Sequence, residues 1–178
     1  MLFQNDKLVV RLLEQTDSSL LAKWLSDPLV LEFYEGRDNP FDLEKVQEKF
    51  YNDENGLVRC IVEYDQTPIG YIQFYQVDSD ERKLYGYDET SEVLYGMDQF
   101  IGESTYWNKG IGTLLVKSTV EFLVEQYQAE RVVMDPQTCN ERAIRCYEKC
   151  GFKKVKLLPK NELHEGQYRD CWLIEYIK

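Results

Sequence analysis

Tyr106-Trp107-Asn108-Lys109-Gly110-Ile111-Gly112-Thr113 stands between an apolar run that ends near Phe100 and a stretch in which Val116, Val120, Leu123 and Tyr127 recur at helical spacing. A strand, a glycine-bearing turn and an amphipathic helix in that order bring backbone N–H groups to a helix start, where the dipole favours an anion. The stretch therefore predicts a phosphate-binding turn inside an α/β arrangement. It fits neither GxxxxGK[ST] nor GxGxxG, which weakens nucleoside triphosphate and dinucleotide readings. Two glycines alone suit a tight structural turn equally well.

The elements on either side extend this pattern. Downstream, residues 131–134 form a short buried strand, Asn140 caps a helix that ends at Gly151, and residues 152–157 and 171–177 are closing strands. Upstream, residues 92–100 form a strand, and residues 58–64 and 69–77 a hairpin around Asp65-Gln66-Thr67-Pro68. Residues 7–13 read as an edge strand. A helix from Thr16 or Asp17 to Ser26 presents Leu20, Leu21, Trp24 and Leu25 and stops at Asp27-Pro28. Residues 29–40 read as a loop with at most a helical turn, and Asp42 opens a helix with Leu43, Val46 and Phe50 on one side. An antiparallel start followed by strand-helix-strand-helix-strand predicts an α/β (α+β) fold, a mixed sheet with helices on both faces, in a single domain over residues 1–178.

Composition narrows the function. Asp6, Lys7 and Arg11 interrupt the first residues and no apolar run is long enough to span a bilayer, so a cytoplasmic protein without a membrane partner is expected. Five cysteines at irregular spacing suit buried reduced thiols rather than a disulfide framework. Cys146 and Cys150 sit four apart, but His164 is the only histidine, and no metal site is expected. The net charge of −11 argues against nucleic acid and leaves bare solubility or a cationic partner. Asp78, Asp80, Glu81, Asp88, Glu89, Glu92 and Asp98 face only Arg82 and Lys83, a run that also fits a solvated acidic loop.

Trp107 to Gly112 resembles the pyrophosphate loop [Arg/Gln]-x-x-Gly-x-[Gly/Ala] of the GNAT N-acetyltransferase superfamily, with Trp107 where Arg or Gln is usual. Asn140, Ala143, Tyr147, Gly151 and Phe152 fill the places of that superfamily's second motif, about 28 residues on. The resemblance implies a splayed parallel strand pair that binds acetyl-CoA as co-substrate. It assigns coenzyme contacts to Trp107, Asn108, Lys109, Gly110, Ile111, Gly112, Thr113, Asn140 and Ala143. The amides around Phe100 and Ile101 would run along the pantetheine arm and polarise the thioester carbonyl. Tyr147, a core tyrosine by spacing alone, becomes by this resemblance a hydrogen-bond donor or general acid beside the leaving sulfur.

Tyr95-Gly96-Met97-Asp98-Gln99, Asp135-Pro136, Asn140-x-Arg142-Ala143-Ile144-Arg145-Cys146-Tyr147, Trp24-Leu25, Leu31-Glu32-Phe33-Tyr34 and Leu163-His164-Glu165-Gly166 resemble the aminoglycoside 6'-N-acetyltransferases. That implies direct acetylation of the 6'-amine of drugs such as kanamycin or tobramycin, conferring resistance, by a monomer or weak dimer. Asp98 would accept the amine's proton or orient it, with Asp135 as a second carboxylate. Glu92, Glu165 and Asp170 would meet outer amines, and Trp24, Phe33 and Tyr34 would flank the sugars. An ordinary Asp of pKa about 3.9 is a weak base toward an amine of about 10.4, so without burial Asp98 only orients. No covalent enzyme intermediate is expected, because no histidine is placed to activate Cys60 or Cys139. Two rivals keep the coenzyme residues: an acetyltransferase acting on a protein N-terminus or a polyamine, and a non-catalytic acyl-CoA sensor free to dispense with Asp98 and Tyr147.

Overall fold

Residues 1–52 and 56–178 are described by a computed structural model. Its strands are β1 (Phe3–Asn5), β2 (Leu8–Leu12), β3 (Leu57–Tyr64), β4 (Thr67–Gln76), β5 (Leu94–Ile101), β6 (Arg131–Met134), β7 (Lys153–His164) and β8 (Gln167–Ile177). Its helices are α1 (Ser18–Trp24), α2 (Pro28–Leu31), α3 (Leu43–Phe50), α4 (Ser79–Tyr85), α5 (Ile111–Gln126) and α6 (Glu141–Lys149). The strands join in one sheet ordered β1-β2-β3-β4-β5-β6-β8-β7. Among the described residues only β5 and β6 pair in parallel, which makes it the mixed sheet expected.

Helices cover both faces. On one, Ile111, Leu115, Val116, Val120 and Leu123 of α5 pack on Met97, Val132 and Met134. On the other, Leu21 and Trp24 of α1 and Val46 and Phe50 of α3 pack on Ile61, Tyr71 and Phe100. Further along that second face Tyr85 of α4 joins Leu94, Val133 and Leu173. Among the described residues no helix is long and apolar enough to cross a membrane.

Four readings of the sequence are corrected. Strand β2 is not an edge, because β1 pairs outside it with Phe3 opposite Val10. The acidic run contains helix α4: the Asp78 side chain accepts N–H bonds from Asp80 and Glu81, and Gly86 ends the helix at φ 83°. Both are local signals, an Asp cap and a left-handed glycine stop, that the density of charge obscured. The β3–β4 turn is tighter than read, with Asp65 and Gln66 alone at φ 50° and 65°, as a two-residue hairpin requires. Strands β7 and β8 continue into one long hairpin that turns at Glu165 and Gly166.

The pairing of β5 with β6 runs only from Leu94 opposite Arg131 to Gly96 opposite Val133. Beyond Gly96 the two strands no longer pair, while β5 continues to Ile101 along β4. A gap opens in the sheet there, between Asp98-Gln99 on one side and Met134-Asp135 on the other.

Candidate active site

Two cavities meet at this gap. The first, about 550 Å³, runs over Trp107, Asn108, Gly110, Gly112 and Thr113 and under Asn140, Ala143 and Tyr147 of the α6 region. The second, about 530 Å³, is lined by Gln73, Asp98, Asp135, Asn161 and Glu162 among others. Phe33, Tyr34, Gln99, Asn140 and Tyr147 line both, so the junction lies where β5 leaves β6.

Helix α5 starts the first cavity. Gly110 is its cap at φ 78°, a backbone region that a side chain would strain, and it offers no side-chain hydrogen bond to the first turn. Leu114 is the first amide bonded back to Gly110, which leaves the N–H groups of Ile111, Gly112 and Thr113 without intrahelical acceptors. A Cβ added at Gly112 would meet nothing nearer than Cys146 Sγ at 3.8 Å. Space inside the protein therefore does not demand glycine there, and a small side chain fits, as the Gly or Ala of the resembling loop pattern implies. Asn140 caps α6 by accepting from the Ala143 amide at 3.4 Å.

The cations of this cavity come from α6. Arg142, Arg145 and Lys149 line it, and the Arg142 guanidinium lies 4.6 Å above the Trp107 ring. Trp107 donates through Nε1 to the Ile101 carbonyl at 2.8 Å. The charge that Trp107 lacks is thus supplied by an arginine stacked on it. Lys109 does not line the cavity; its ammonium sits 5.7 Å from the Tyr106 ring. The Ile111 side chain is buried in the core, so only its backbone is available. An uncapped helix start, three cations and the free edge of β5 suit the pyrophosphate and amide-bearing arm of coenzyme A.

Alternation along β5 decides which amides face the gap. Gly102 N–H bonds to Ile69 and the Leu94 carbonyl accepts from Val77, so even-numbered residues turn to β4 in an unbroken register. The amides of Gln99 and Ile101 therefore face the gap. The Phe100 amide does not, which corrects its reading as an oxyanion donor.

The second cavity is acidic at its base. Asp98 accepts from Gln73 Nε2 at 3.0 Å, yet burial outweighs that bond and, with Asp135, Glu81 and Glu162 nearby, pushes its carboxyl up to about 6. Burial also raises Asp135, against hydrogen bonds from Tyr85 at 3.0 Å and Asn161 at 3.1 Å. The Tyr85 hydroxyl also lies 3.1 Å from Glu81 Oε1, so one proton serves two carboxylates. Glu162 is raised by burial as well. Lys49, which pairs with Glu35, and Arg59 also line this cavity, so its carboxylates outnumber its cations and a multiply cationic ligand suits it. At the junction burial holds the Tyr147 phenol well above its ordinary value, so it stays protonated at neutral pH.

Several expected contacts fall elsewhere. Trp24 is 1% exposed, packs edge-on to Phe100 and donates to Glu103 at 2.8 Å; it is a core residue. Glu92 precedes β5 at the end away from the gap and pairs with Arg131 at 2.8 Å. Asp170 accepts the Lys160 amide within the β7–β8 hairpin. Glu165, at the tip of that hairpin, holds Arg37 at 2.9 Å rather than lining either cavity. Cys139 is exposed and Cys146 lines the first cavity, against the expectation of uniformly buried thiols. Cys60 is buried, with a thiol pushed up to about 12 by burial. Missed by the sequence reading were Gln73, Gln99, Arg142, Asn161 and Glu162. Only Arg142 carried a local signal, one helical turn before Cys146 on the face of Tyr147's helix.

Residues 14–159 match the family model described as an acetyltransferase (GNAT) domain. The chain belongs to the GNAT acetyltransferases. Over 153 residues it is 32% identical to an aminoglycoside N(6')-acetyltransferase type 1 of Klebsiella pneumoniae, covering 84% of this chain and 76% of the relative. It is 39% identical over 74 residues to a kanamycin resistance protein of Rhizobium radiobacter, 42% of this chain and 68% of that one. Among solved structures, AAC(6')-Ib in complex with ribostamycin and coenzyme A superposes with a TM-score of 0.79 at 26% identity, covering 97% of this acetyltransferase and 94% of that chain.

Proposed function

We propose that this acetyltransferase moves the acetyl group of acetyl-CoA directly to the 6'-amine of aminoglycoside antibiotics. The observation that carries the reading is the junction of a cation-lined cavity, built on an uncapped helix, with a carboxylate-lined one at the β5–β6 gap. The similarity to aminoglycoside N(6')-acetyltransferases supports the acceptor.

The thioester supplies an activated acyl group with a thiolate leaving group. In this reading the Ile111–Thr113 amides and Arg142 hold the pyrophosphate, and the gap-facing amides of Gln99 and Ile101 stabilise the carbonyl oxygen as charge develops. Asp98 and Asp135 bind and orient the ammonium groups of the sugar. The attacking 6'-amine reacts in its neutral form, having released its extra proton to solvent. As its nitrogen bonds to the carbonyl carbon it becomes strongly acidic, and ionised Asp98 accepts the surplus proton. Tyr147 gives its proton to the sulfur as the C–S bond breaks. With its carboxyl near 6, Asp98 is ionised at neutral pH yet more basic than an ordinary aspartate.

Incubation with acetyl-CoA and kanamycin, then mass spectrometry, tests this. One added acetyl group on kanamycin and none on an analogue with a 6'-hydroxyl is expected. Acetylation of spermidine or a peptide N-terminus in preference to kanamycin would move the protein to the rival reading.

A further inference from the structure

Asp98 and Gln99 are neighbours on β5 and point to opposite faces of the sheet. Asp98 meets Gln73 on the acidic side, and Gln99 meets Met134 and Tyr147 on the coenzyme side. The Gln99 amide nitrogen donates to the Tyr147 hydroxyl at 2.9 Å and lies 3.4 Å from Met134 Sδ. Its carbonyl oxygen is buried without a hydrogen-bond partner. The side chain lines both cavities, and neither the acid-base pair nor the coenzyme loop assigns it a role.

The orientation of this amide has a physical cause. A thioether sulfur only accepts, so the side of the amide that faces Met134 must be its N–H. Inverting the amide would set oxygen against sulfur lone pairs and leave an N–H stranded where the oxygen now lies. The Tyr147 oxygen, receiving an N–H, must aim its own proton away from Gln99, and the open direction is the junction of the cavities. A buried acceptor without a donor costs free energy and persists where another requirement outweighs it. Here that requirement is the direction of the phenol proton.

We propose that Gln99, held by Met134, is a positioning residue for acetyl transfer: it fixes Tyr147 as a hydrogen-bond donor toward the leaving sulfur. The inference rests on the acetyl-transfer reading above. It makes Tyr147 competent through a neighbour's amide and not through its acidity alone.

The test is a double-mutant cycle in the full chain, with acetyl-CoA and kanamycin as substrates. Gln99→Met removes the N–H donor while keeping length and is expected to lower kcat about tenfold, with KM for acetyl-CoA changed less than about threefold. Gln99→Glu installs an acceptor that captures the phenol proton and is expected to lower kcat further, by about a hundredfold. In a Tyr147→Phe background, Gln99→Met is expected to cost nothing more, because there is no phenol left to position. An equal loss in both backgrounds, or a loss confined to KM, overturns the proposal. Thermal melts check folding. If both Gln99 variants melt early, Met134→Leu, which frees the amide to invert, is expected to lower kcat about threefold only where Tyr147 is present. A wild-type protein that leaves kanamycin unacetylated overturns the function and not this geometry, and the cycle is then run on the acceptor it does use.

Discussion

The two cavities are nearly equal in volume, about 550 and 530 Å³, and opposite in charge. One is built from the start of a sixteen-residue helix and lined by Arg142, Arg145 and Lys149. The other has Asp98, Asp135 and Glu162 held in a buried site that raises all three carboxyls. Amides and mobile cations bind an anion at little standing cost, whereas buried carboxylates cost stability until a cation arrives. A net charge of −11 therefore describes neither site: among the described residues cations without carboxylates line one side of the gap, and carboxylates outnumber Lys49 and Arg59 on the other.

The largest expected effect comes from the acidic side. Asp98→Asn is expected to lower kcat at least about a hundredfold in steady-state assays. The same variant should be more stable without ligand. The folded carboxyl sits near 6, above its ordinary 3.8, so the folded state binds more protons in that window and stability falls as pH rises from about 4 to 6. Asn removes that loss, and a melting temperature at least about 2 °C higher at pH 7 is expected. For the wild type, kcat/KM for kanamycin should rise with pH through about 6, where Asp98 ionises. A flat profile there, together with an unchanged melting point for Asp98→Asn, breaks the contrast between the cavities.

Smaller effects sharpen it. Arg142→Ala is expected to raise KM for acetyl-CoA about five- to tenfold, as for loss of one charge-assisted hydrogen bond, and to leave KM for kanamycin unchanged. Glu162→Gln should do the reverse, raising KM for kanamycin about threefold with acetyl-CoA unaffected. Parallel shifts in both Michaelis constants for either variant would mean that the cavities do not divide the substrates.

Much of the fold was legible because its signals are local. The Gly110–Gly112 turn, the Asn140 cap, the Asp65-Gln66 turn and the helical spacing of Val116, Val120 and Leu123 each act within a few residues. Helix α4 was equally local in its Asp78 cap and Gly86 stop, but its charges looked like those of a solvated loop. The site was legible where a residue's place in a motif located it, as for Asp98, Asp135 and Tyr147, which do converge at the gap. Residue type alone misled. Trp24 has an aromatic ring that suits a sugar or a core equally, and packing chose the core. Glu92 and Asp170 are acids, but strand direction and hairpin register carried them away. Gln99 and Glu162 gave no signal, since their roles arise only where strands distant in sequence meet. The Phe100 amide was misjudged by one residue, an error that alternation turns into the opposite edge of the strand.

Calorimetric titration of Gly112→Asp with coenzyme A and, separately, with kanamycin tests the division most directly. The nearest atom to the new Cβ is 3.8 Å away and a carboxylate suits the first turn of a helix, so the fold should accept it, while the pyrophosphate meets a like charge. Coenzyme A is expected to bind at least about tenfold more weakly, about 1.4 kcal/mol, with kanamycin binding unchanged. Undiminished coenzyme affinity, or an equal loss for kanamycin, would contradict the assignment of the helix start to one substrate and the carboxylates to the other.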